Sequence, residues 1–166
     1  MENLDSNKHL VEIFSGQKVL LRPSQDEIQN NLFWAGRNLL IVSSRLSSGS
    51  PRLKSSTIFE SYFNDDIFKF STKPIKMFPP SASDIDKIDN ILSIINLCSD
   101  PLTRRIIQAR CLINPISHRH IFTWAKISRL LNISPDLIKK RFFRGLDEIK
   151  YSLNVATWEK IKKIEN

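Results

Sequence analysis

The chain has 166 residues, of which 41% are hydrophobic and 25% are charged, and its formal net charge at pH 7 is +8. This length suits one domain with a substantial core or two small domains in tandem, and no apolar run approaches the roughly 20 residues that span a bilayer, which excludes an integral membrane protein. The first residues, MENLDSNKHLVEIF, lack a basic leader followed by an apolar stretch, so we expect a cytoplasmic protein.

Positive charge is concentrated in the C-terminal part of the chain. Residues 1–100 contain 11 Lys and Arg against 12 Asp and Glu, whereas residues 101–166 contain 14 against 5. Such a one-sided excess is typical of a protein that binds a polyanion, most often nucleic acid, although a solvated basic surface has the same composition. Membrane-surface binding is disfavoured because the basic segments also carry helical core periodicity.

The pattern of apolar and turn-forming residues predicts an all-α fold with four parts. These are weakly structured residues 1–23, an N-terminal helical segment over residues 24–80, a tri-helical helix-turn-helix domain over residues 81–154 and a short C-terminal helix over residues 155–166.

The first predicted helix begins with a capping-box pattern at Ser24 and Glu27. The apolar residues that follow at spacings of three and four are Ile28, Leu32, Ala35, Leu39, Val42 and Leu46. The sequence SSGSP at residues 47–51 ends this helix. Residues 58–78 are rich in aromatic side chains, including Phe78, and we interpret them as packing on the core, because the local charge is balanced rather than basic, which does not favour base stacking.

Two further helices are predicted upstream of the basic region. The first has Ser81 or Ser83 as its cap, an apolar face made of Ile85, Ile88, Leu92 and Ile95, and three acids, Asp84, Asp86 and Asp89. We interpret these acids as favoured by the helix N-terminus rather than as a metal or nuclease site. The second opens at DPLTRR with Pro101 in its first turn, and its apolar stripe is Leu102, Ile106, Ala109 and Ile113.

Neither a metal site nor a catalytic centre is predicted. Cys98, Cys111, His118 and His120 are spaced C-x12-C-x6-H-x-H, which lacks the paired cysteines of a zinc knuckle, so we expect two core thiols and two surface imidazoles. No nucleophile elbow, phosphate-binding loop, H-E-x-x-H motif or separated carboxylate pair is present. We therefore expect a protein that is not an enzyme and that needs no cofactor.

Residues 123–150, TWAKISRLLNISPDLIKKRFFRGLDEIK, predict two helices joined by a short turn. The inward stripe of the first is Trp124, Ile127, Leu130 and Leu131, and that of the second is Ile138, Phe142, Leu146, Ile149 and Leu153. Ser128 supplies a small residue in the first helix, and Asn132 supplies a turn residue that tolerates positive φ. Ser134, Pro135 and Asp136 then start the second helix as cap, first position and favoured acid.

Helical geometry assigns the DNA-contacting residues of this pair. With Ile138 and Phe142 buried, the side chains that project from the opposite side are those of Asp136, Lys139, Lys140 and Phe143. The two lysines are the candidates for base edges or phosphates. Arg141 and Arg144 flank the buried stripe and are expected to reach phosphates. The full predicted set is Lys126, Arg129, Ser134, Lys139, Lys140, Arg141 and Arg144. Asp136 repels phosphate unless it accepts from a cytosine amino group, so strong sequence specificity is not expected.

The stretch from Trp124 to Leu146 resembles the helix-turn-helix of sigma-factor region 4. It is more closely similar to a family of small uncharacterised proteins of bacteria and their phages, which join an N-terminal helical segment and a PPS-type linker to a W-x-x-I-A-x-x-L-G-V-S module. The resemblance implies a DNA-binding fold and a bacterial or phage transcriptional regulator or DNA-associated factor. Asn132 and Pro135 depart from the Gly and the polar residue of that pattern.

Two alternatives to DNA binding stay open. A helical adaptor that docks on RNA polymerase or on a phage protein would use Phe143 and Trp158 as exposed anchors, whereas a solvated basic surface would have no partner. In residues 155–166, Val155, Trp158, Ile161 and Ile164 form an amphipathic stripe. We expect this helix to fold back rather than to pair with a second copy, because it is too short for an independent coiled coil, so a monomer is slightly favoured over a homodimer.

Overall fold

The computed structural model describes residues 22–46, 78 and 80–163, with side chains to residue 42 in the first segment and to residue 162 in the last. Its α-helices are α1 (Gln25–Leu46), α2 (Ala82–Ser93), α3 (Pro101–Cys111), α4 (Trp124–Leu131), α5 (Pro135–Ser152) and α6 (Val155–Lys163), and a 3-10 turn (Ile94–Leu97) follows α2. No strand is present among these residues, so the predicted all-α fold is confirmed. None of the described helices is long and apolar enough to cross a membrane.

Each helix begins at a residue that satisfies its first free N–H groups. In α1 the Glu27 N–H donates to Ser24 Oγ at 3.1 Å and the Ser24 N–H donates to the Glu27 carboxylate at 2.8 Å, as the capping-box pattern predicts. Ser81, rather than Ser83, caps α2 and forms a second capping box with Asp84. Asp100 caps α3 through the N–H groups of its first turn, which sequence reasoning had marked only by the following proline.

The core is shared by the described helices on both sides of the predicted boundary at residue 81. α1 packs against α2, α3 and α5, and its apolar face is buried at Ile28, Leu32, Ala35, Leu39 and Val42. In the same cluster lie Ile106 of α3, Ile127 of α4 and Ile138 of α5. Whether residues 24–80 and 81–154 are separate domains stays a prediction, but the described parts of both contribute to one hydrophobic core.

Two glycines allow close helix crossings in this core. A Cβ atom at Gly36 of α1 would lie 2.1 Å from the carbonyl oxygen of Cys111, so α1 touches the backbone at the end of α3. A Cβ atom at Gly145 of α5 would lie 2.5 Å from Thr103 Cγ2 and 2.8 Å from Ile107 Cδ1. α1 therefore meets the end of α3, and α5 meets the first two turns of α3.

The C-terminal helix α6 packs back onto the described chain, as expected, and contacts α2. Trp158 is fully buried and Ile161 is 1% exposed, while Lys162 Nζ lies 3.3 Å from Glu27 Oε1 of α1. The expectation that Trp158 serves as an exposed anchor for a partner is therefore wrong. The same amphipathic stripe that suggested an exposed anchor is covered by the protein's own core.

The segment between α3 and α4 differs from the prediction. α3 ends at Cys111, and Ile113, predicted in its stripe, instead pairs with His120 in an isolated antiparallel bridge. His120, expected at the surface, is partly buried: its Nδ1 lies 2.8 Å from the Arg110 carbonyl oxygen, and its ring meets Phe33 edge-on at 5.0 Å. Desolvation lowers its pKa. His118 is exposed.

Several other expectations meet a definite outcome. Cys98 and Cys111 are buried free thiols, as predicted. Phe78 is 96% exposed, so it does not pack on the core. The predictions for residues 1–21, for Leu46 and Ile164, and for the remainder of the aromatic-rich segment fall outside the described residues or side chains.

Candidate nucleic-acid interface

The two basic helices α4 and α5 are joined by a turn whose geometry depends on Asn132. This residue has φ 53° and ψ 43°, in the left-handed region that Asn tolerates better than most residues. Ser128 closes the turn: its carbonyl accepts the Ile133 N–H at 3.1 Å, and its hydroxyl donates to the Ile133 carbonyl at 2.6 Å. The predicted roles of Ser128 and Asn132 are confirmed.

Helix α5 is anchored by a continuous buried stripe. Its inward residues are Ile138, Phe142, Leu146 and Ile149, and the stripe continues to Leu153 at the C-cap; all five are buried as predicted. On α4 the inward positions are Ile127 and, partly, Leu131. Leu130 was also predicted to face inward, but it is 42% exposed, so that prediction is wrong. A helix advances about 100° per residue, so Leu131, four residues after Ile127, takes the inward position instead.

A cation and two aromatic rings fix how α4 crosses its neighbours. The Arg110 guanidinium of α3 lies 4.2 Å from the centre of the Trp124 ring, and that ring meets Phe142 of α5 edge-on with centroids 5.2 Å apart. Arg110 also donates to the Phe122 carbonyl at 3.2 Å. Sequence reasoning did not single out Arg110, because a contact between an α3 cation and an α4 ring has no local pattern.

The outer face of α5 carries the side chains that sequence reasoning placed there. Asp136, Lys139 and Lys140 are exposed, and Phe143 is 46% exposed. Ser134 caps the helix and accepts the Leu137 N–H at 3.4 Å. The start of this face therefore offers two lysines, one acid and one aromatic ring to a ligand.

Further along, this face carries charges of both signs. Arg144 is exposed, and Asp147, four residues after Phe143, is exposed on the same side of the helix. Sequence reasoning overlooked Asp147. Together with Asp136, it partly offsets the three exposed cations that lie between them, which are Lys139, Lys140 and Arg144.

Arg141 is already paired within the protein. Its Nη1 lies 2.9 Å from Asp100 Oδ2, and both side chains are more than one-third exposed. Asp100 in turn accepts from the Thr103 hydroxyl, and this hydrogen bond, with those from the first turn of α3 and the nearby Arg141 charge, lowers the Asp100 pKa. The pair links α5 to the beginning of α3. Because Arg141 and Asp100 are 41 residues apart, no local sequence pattern indicates that they are partners.

A groove of about 480 Å³ lies between the start of α3 and α5, with Lys140, Arg141 and Arg144 in its wall. Glu148 lies in the same wall and accepts the Ser99 N–H at 2.9 Å and the Cys98 thiol at 3.3 Å. Hydrogen bonds from Ser99 lower the pKa of Glu148, while burial, followed by the bond to Glu148, raises the pKa of Cys98 to about 11. With Asp100 and Glu148 present, the groove is far less positive than its three cations alone suggest.

The two predicted cations of α4 differ in accessibility. Lys126 Nζ lies 4.3 Å from the centre of the Phe122 ring and 3.5 Å from the Ile121 carbonyl oxygen, so this side chain lies against the protein. Arg129 is exposed, with its Nε 3.4 Å from the Ala125 carbonyl. Among the predicted site residues, the exposed set is Arg129, Ser134, Lys139, Lys140 and Arg144.

Helix α1 borders this surface, which sequence reasoning did not anticipate. Gln25 Nε2 donates to the Phe143 carbonyl at 3.1 Å, across 118 residues of sequence. The beginning of α1 therefore lies beside the third turn of α5.

Arg119, exposed in the segment that precedes α4, is a further cation that was counted in the basic excess but not assigned a role.

Comparison of the chain with protein-family models, with curated proteins and with solved structures gives no match. The candidate interface is thus defined by its own residues: an anchored helix whose exposed first turns carry Lys139 and Lys140.

Proposed function

We propose that the protein binds double-stranded DNA by placing the first turns of α5 in the major groove, mainly through phosphate contacts and with modest sequence preference. The observation that carries the proposal is the exposure of Lys139 and Lys140 on one face of α5, whose opposite face is anchored at Ile138 and Phe142. A major groove about 12 Å wide admits an α-helix. A rigid helix that presents cations and buries its apolar side suits that groove.

The position of α1 indicates how much of α5 is available. Because Gln25 contacts the Phe143 carbonyl, the accessible part on that side runs from Pro135 to about Phe143. At about 1.5 Å per residue this length is roughly 13 Å, comparable with the width of the groove. Insertion by the N-terminal turns is also the usual docking of a recognition helix.

The contacts of each cation support a division of roles. Arg129, Lys139, Lys140 and Arg144 are exposed and are assigned to phosphates or base edges, with Ser134 at a phosphate near the helix start. Lys126 and Arg141, which have partners in the protein, are assigned to positioning α4 and α5. Asp136 and Asp147 oppose phosphate and limit affinity.

The proposal includes a biological setting. The resemblance of residues 124–146 to sigma-factor region 4 favours a bacterial or phage transcriptional regulator or DNA-associated factor in the cytoplasm, without catalytic activity. A second candidate is a helical adaptor for RNA polymerase or a phage protein. It is favoured by the partial exposure of Leu137 at 45% and Phe143 at 46%, since exposed apolar side chains on one helix can anchor a partner.

A salt titration of duplex binding tests the proposal. Four phosphate contacts predict a slope of about −3.6 for the logarithm of the binding constant against the logarithm of salt concentration, whereas six contacts, with Lys126 and Arg141 included, predict about −5.4. The double variant Lys139→Ala/Lys140→Ala should reduce the magnitude of the slope by about 1.8. A matched control, Arg22→Ala/Lys160→Ala, removes two exposed charges outside α4 and α5 and should leave the slope unchanged.

Both variants must show the thermal melt of the wild type for the comparison to hold. Absence of duplex binding, or binding that is insensitive to salt and equal in wild type and the Lys139/Lys140 variant, would refute DNA binding and favour the adaptor.

A further inference from the structure

Phe143 is an exposed aromatic residue at the end of the accessible part of α5. Its side chain is 46% exposed, although burial of such a ring would stabilise the fold. It follows Lys139 by four residues and Lys140 by three, so all three side chains emerge on neighbouring rows of the helix. Helical side chains lean toward the N-terminus, which directs the ring toward these lysines.

The ring is held in place rather than free to move with a loop. Its centroid lies 5.3 Å from that of Phe142 at an interplanar angle of 82°, an edge-to-face arrangement with a ring that is 1% exposed. The backbone at this position is fixed by the helix and by the hydrogen bond from Gln25 to the Phe143 carbonyl. A preorganised apolar group loses little conformational entropy on contact with a ligand.

The chemistry around Phe143 selects its ligand. A protein groove that buried this ring would also have to desolvate the neighbouring lysines, which is costly without acidic partners. In a DNA major groove the lysines meet phosphates or guanine, while the apolar group available to a ring is the thymine 5-methyl. Resting on the proposed DNA binding, we propose that Phe143 is a specificity-determining residue that contacts thymine 5-methyl groups and gives the protein a preference for thymine-containing sites.

The test compares duplexes that differ only in this methyl group. Binding is measured for a 20-base-pair alternating dA/dT duplex and for the same duplex with deoxyuridine in place of thymidine, which keeps charge and base pairing. Loss of one contacted methyl should weaken wild-type binding by about fourfold. 5-Methylcytosine carries a methyl group at the same position in the major groove. Wild-type binding to a G·C duplex should therefore become stronger when cytosine is replaced by 5-methylcytosine.

Variants at aromatic positions of α5 assign the effect. Phe143→Ala should bind the thymine and uracil duplexes equally, and Phe143→Leu, which keeps an apolar contact, should retain part of the preference. Tyr151→Ala removes another exposed aromatic residue of α5, one that is 68% exposed two turns further along, and should discriminate as the wild type does. Binding by each of the three variants is compared with that of the wild type only if the variant has the same thermal melt as the wild type.

The outcomes separate this inference from the proposed function. Failure of the wild type to bind either duplex would overturn both. Salt-dependent binding with equal affinity for thymine and uracil duplexes would overturn the role of Phe143 and leave DNA binding standing. Discrimination that survives Phe143→Ala would likewise show that another residue reads the methyl group.

Discussion

Replacement of Gly36 by Ala tests whether α1 docks on α3 as described. The added Cβ atom would lie 2.1 Å from the Cys111 carbonyl oxygen and 2.6 Å from its carbonyl carbon. Favourable C···O contacts occur at about 3.3 Å or more, so α1 and the end of α3 would have to separate by about 1 Å. Because the obstructing atoms are backbone, no side-chain rotamer relieves the contact.

The expected loss of stability follows from two opposing effects. Overpacking of a core costs about 1–3 kcal/mol and occasionally more, and a gap of about 1 Å forfeits up to half of the dispersion energy between the surfaces that separate. Ala is favoured over Gly within a helix by about 1 kcal/mol. Because the obstructing atoms are backbone, the upper end of the overpacking range applies, and the gain in helix propensity is subtracted from it. We therefore expect Gly36→Ala to lower the free energy of unfolding by about 2 kcal/mol, a substantial part of the 5–15 kcal/mol typical of a domain.

Urea denaturation of the full chain, followed by tryptophan fluorescence, measures this change. Gly145→Ala is the first comparison: the nearest neighbours of its Cβ atom would be side-chain atoms of Thr103, Ile107 and Cys98 rather than backbone, so it should cost less than Gly36→Ala. Asn30→Ala, at an exposed position of α1, should be neutral or slightly stabilising. If Gly36→Ala is as stable as the wild type, or gains about 1 kcal/mol as a solvent-exposed helical glycine would, α1 does not pack on α3 at this point.

Two other predictions concern residues that position α5: Asn132, in the turn before it, and Asp100, the cap of α3 that pairs with Arg141. Asn132→Gly should leave the urea midpoint unchanged or raise it, whereas Asn132→Val should lower stability by about 1–2 kcal/mol because of its left-handed backbone; equal effects would contradict that geometry. The lowered pKa of Asp100 means that its carboxylate stabilises the folded state above about pH 4, and that this contribution disappears as the pH falls through the folded-state pKa. The stability difference between wild type and Asp100→Asn in urea should thus be smaller at pH 3 than at pH 6.5, and a difference independent of pH would refute it.

The features that could be predicted from the sequence are those fixed by neighbours along the chain. The capping box of Ser24 and Glu27 and the left-handed turn at Asn132 each depend on residues within five positions. The inward stripe of α5 follows from the 3.6-residue helical period. For the same reason, the exposed positions of Lys139 and Lys140 were predictable.

The features that could not be predicted depend on contacts between distant residues. The amphipathic stripe of α6 indicates that Trp158 is buried, but it does not indicate which helix Trp158 packs against. The pairing of Arg141 with Asp100 and the contact of Gln25 with Phe143 span 41 and 118 residues. These contacts decide which cations of the candidate site are available, so the helices of the site were more predictable than its electrostatics.

The contact between Gln25 and Phe143 also has a consequence for synthesis of the chain. Ribosomes add about 5–20 residues per second, so α1 emerges roughly 6–24 s before its partner residues on α5. The α4–α5 pair is local in sequence and forms rapidly once made, whereas the contact of α1 with α5 joins residues that are more than one hundred positions apart. During that interval the apolar face of α1, from Ile28 to Val42, lacks the part of its cover that α5 supplies, so some of its apolar surface stays exposed to solvent until α5 has been synthesised.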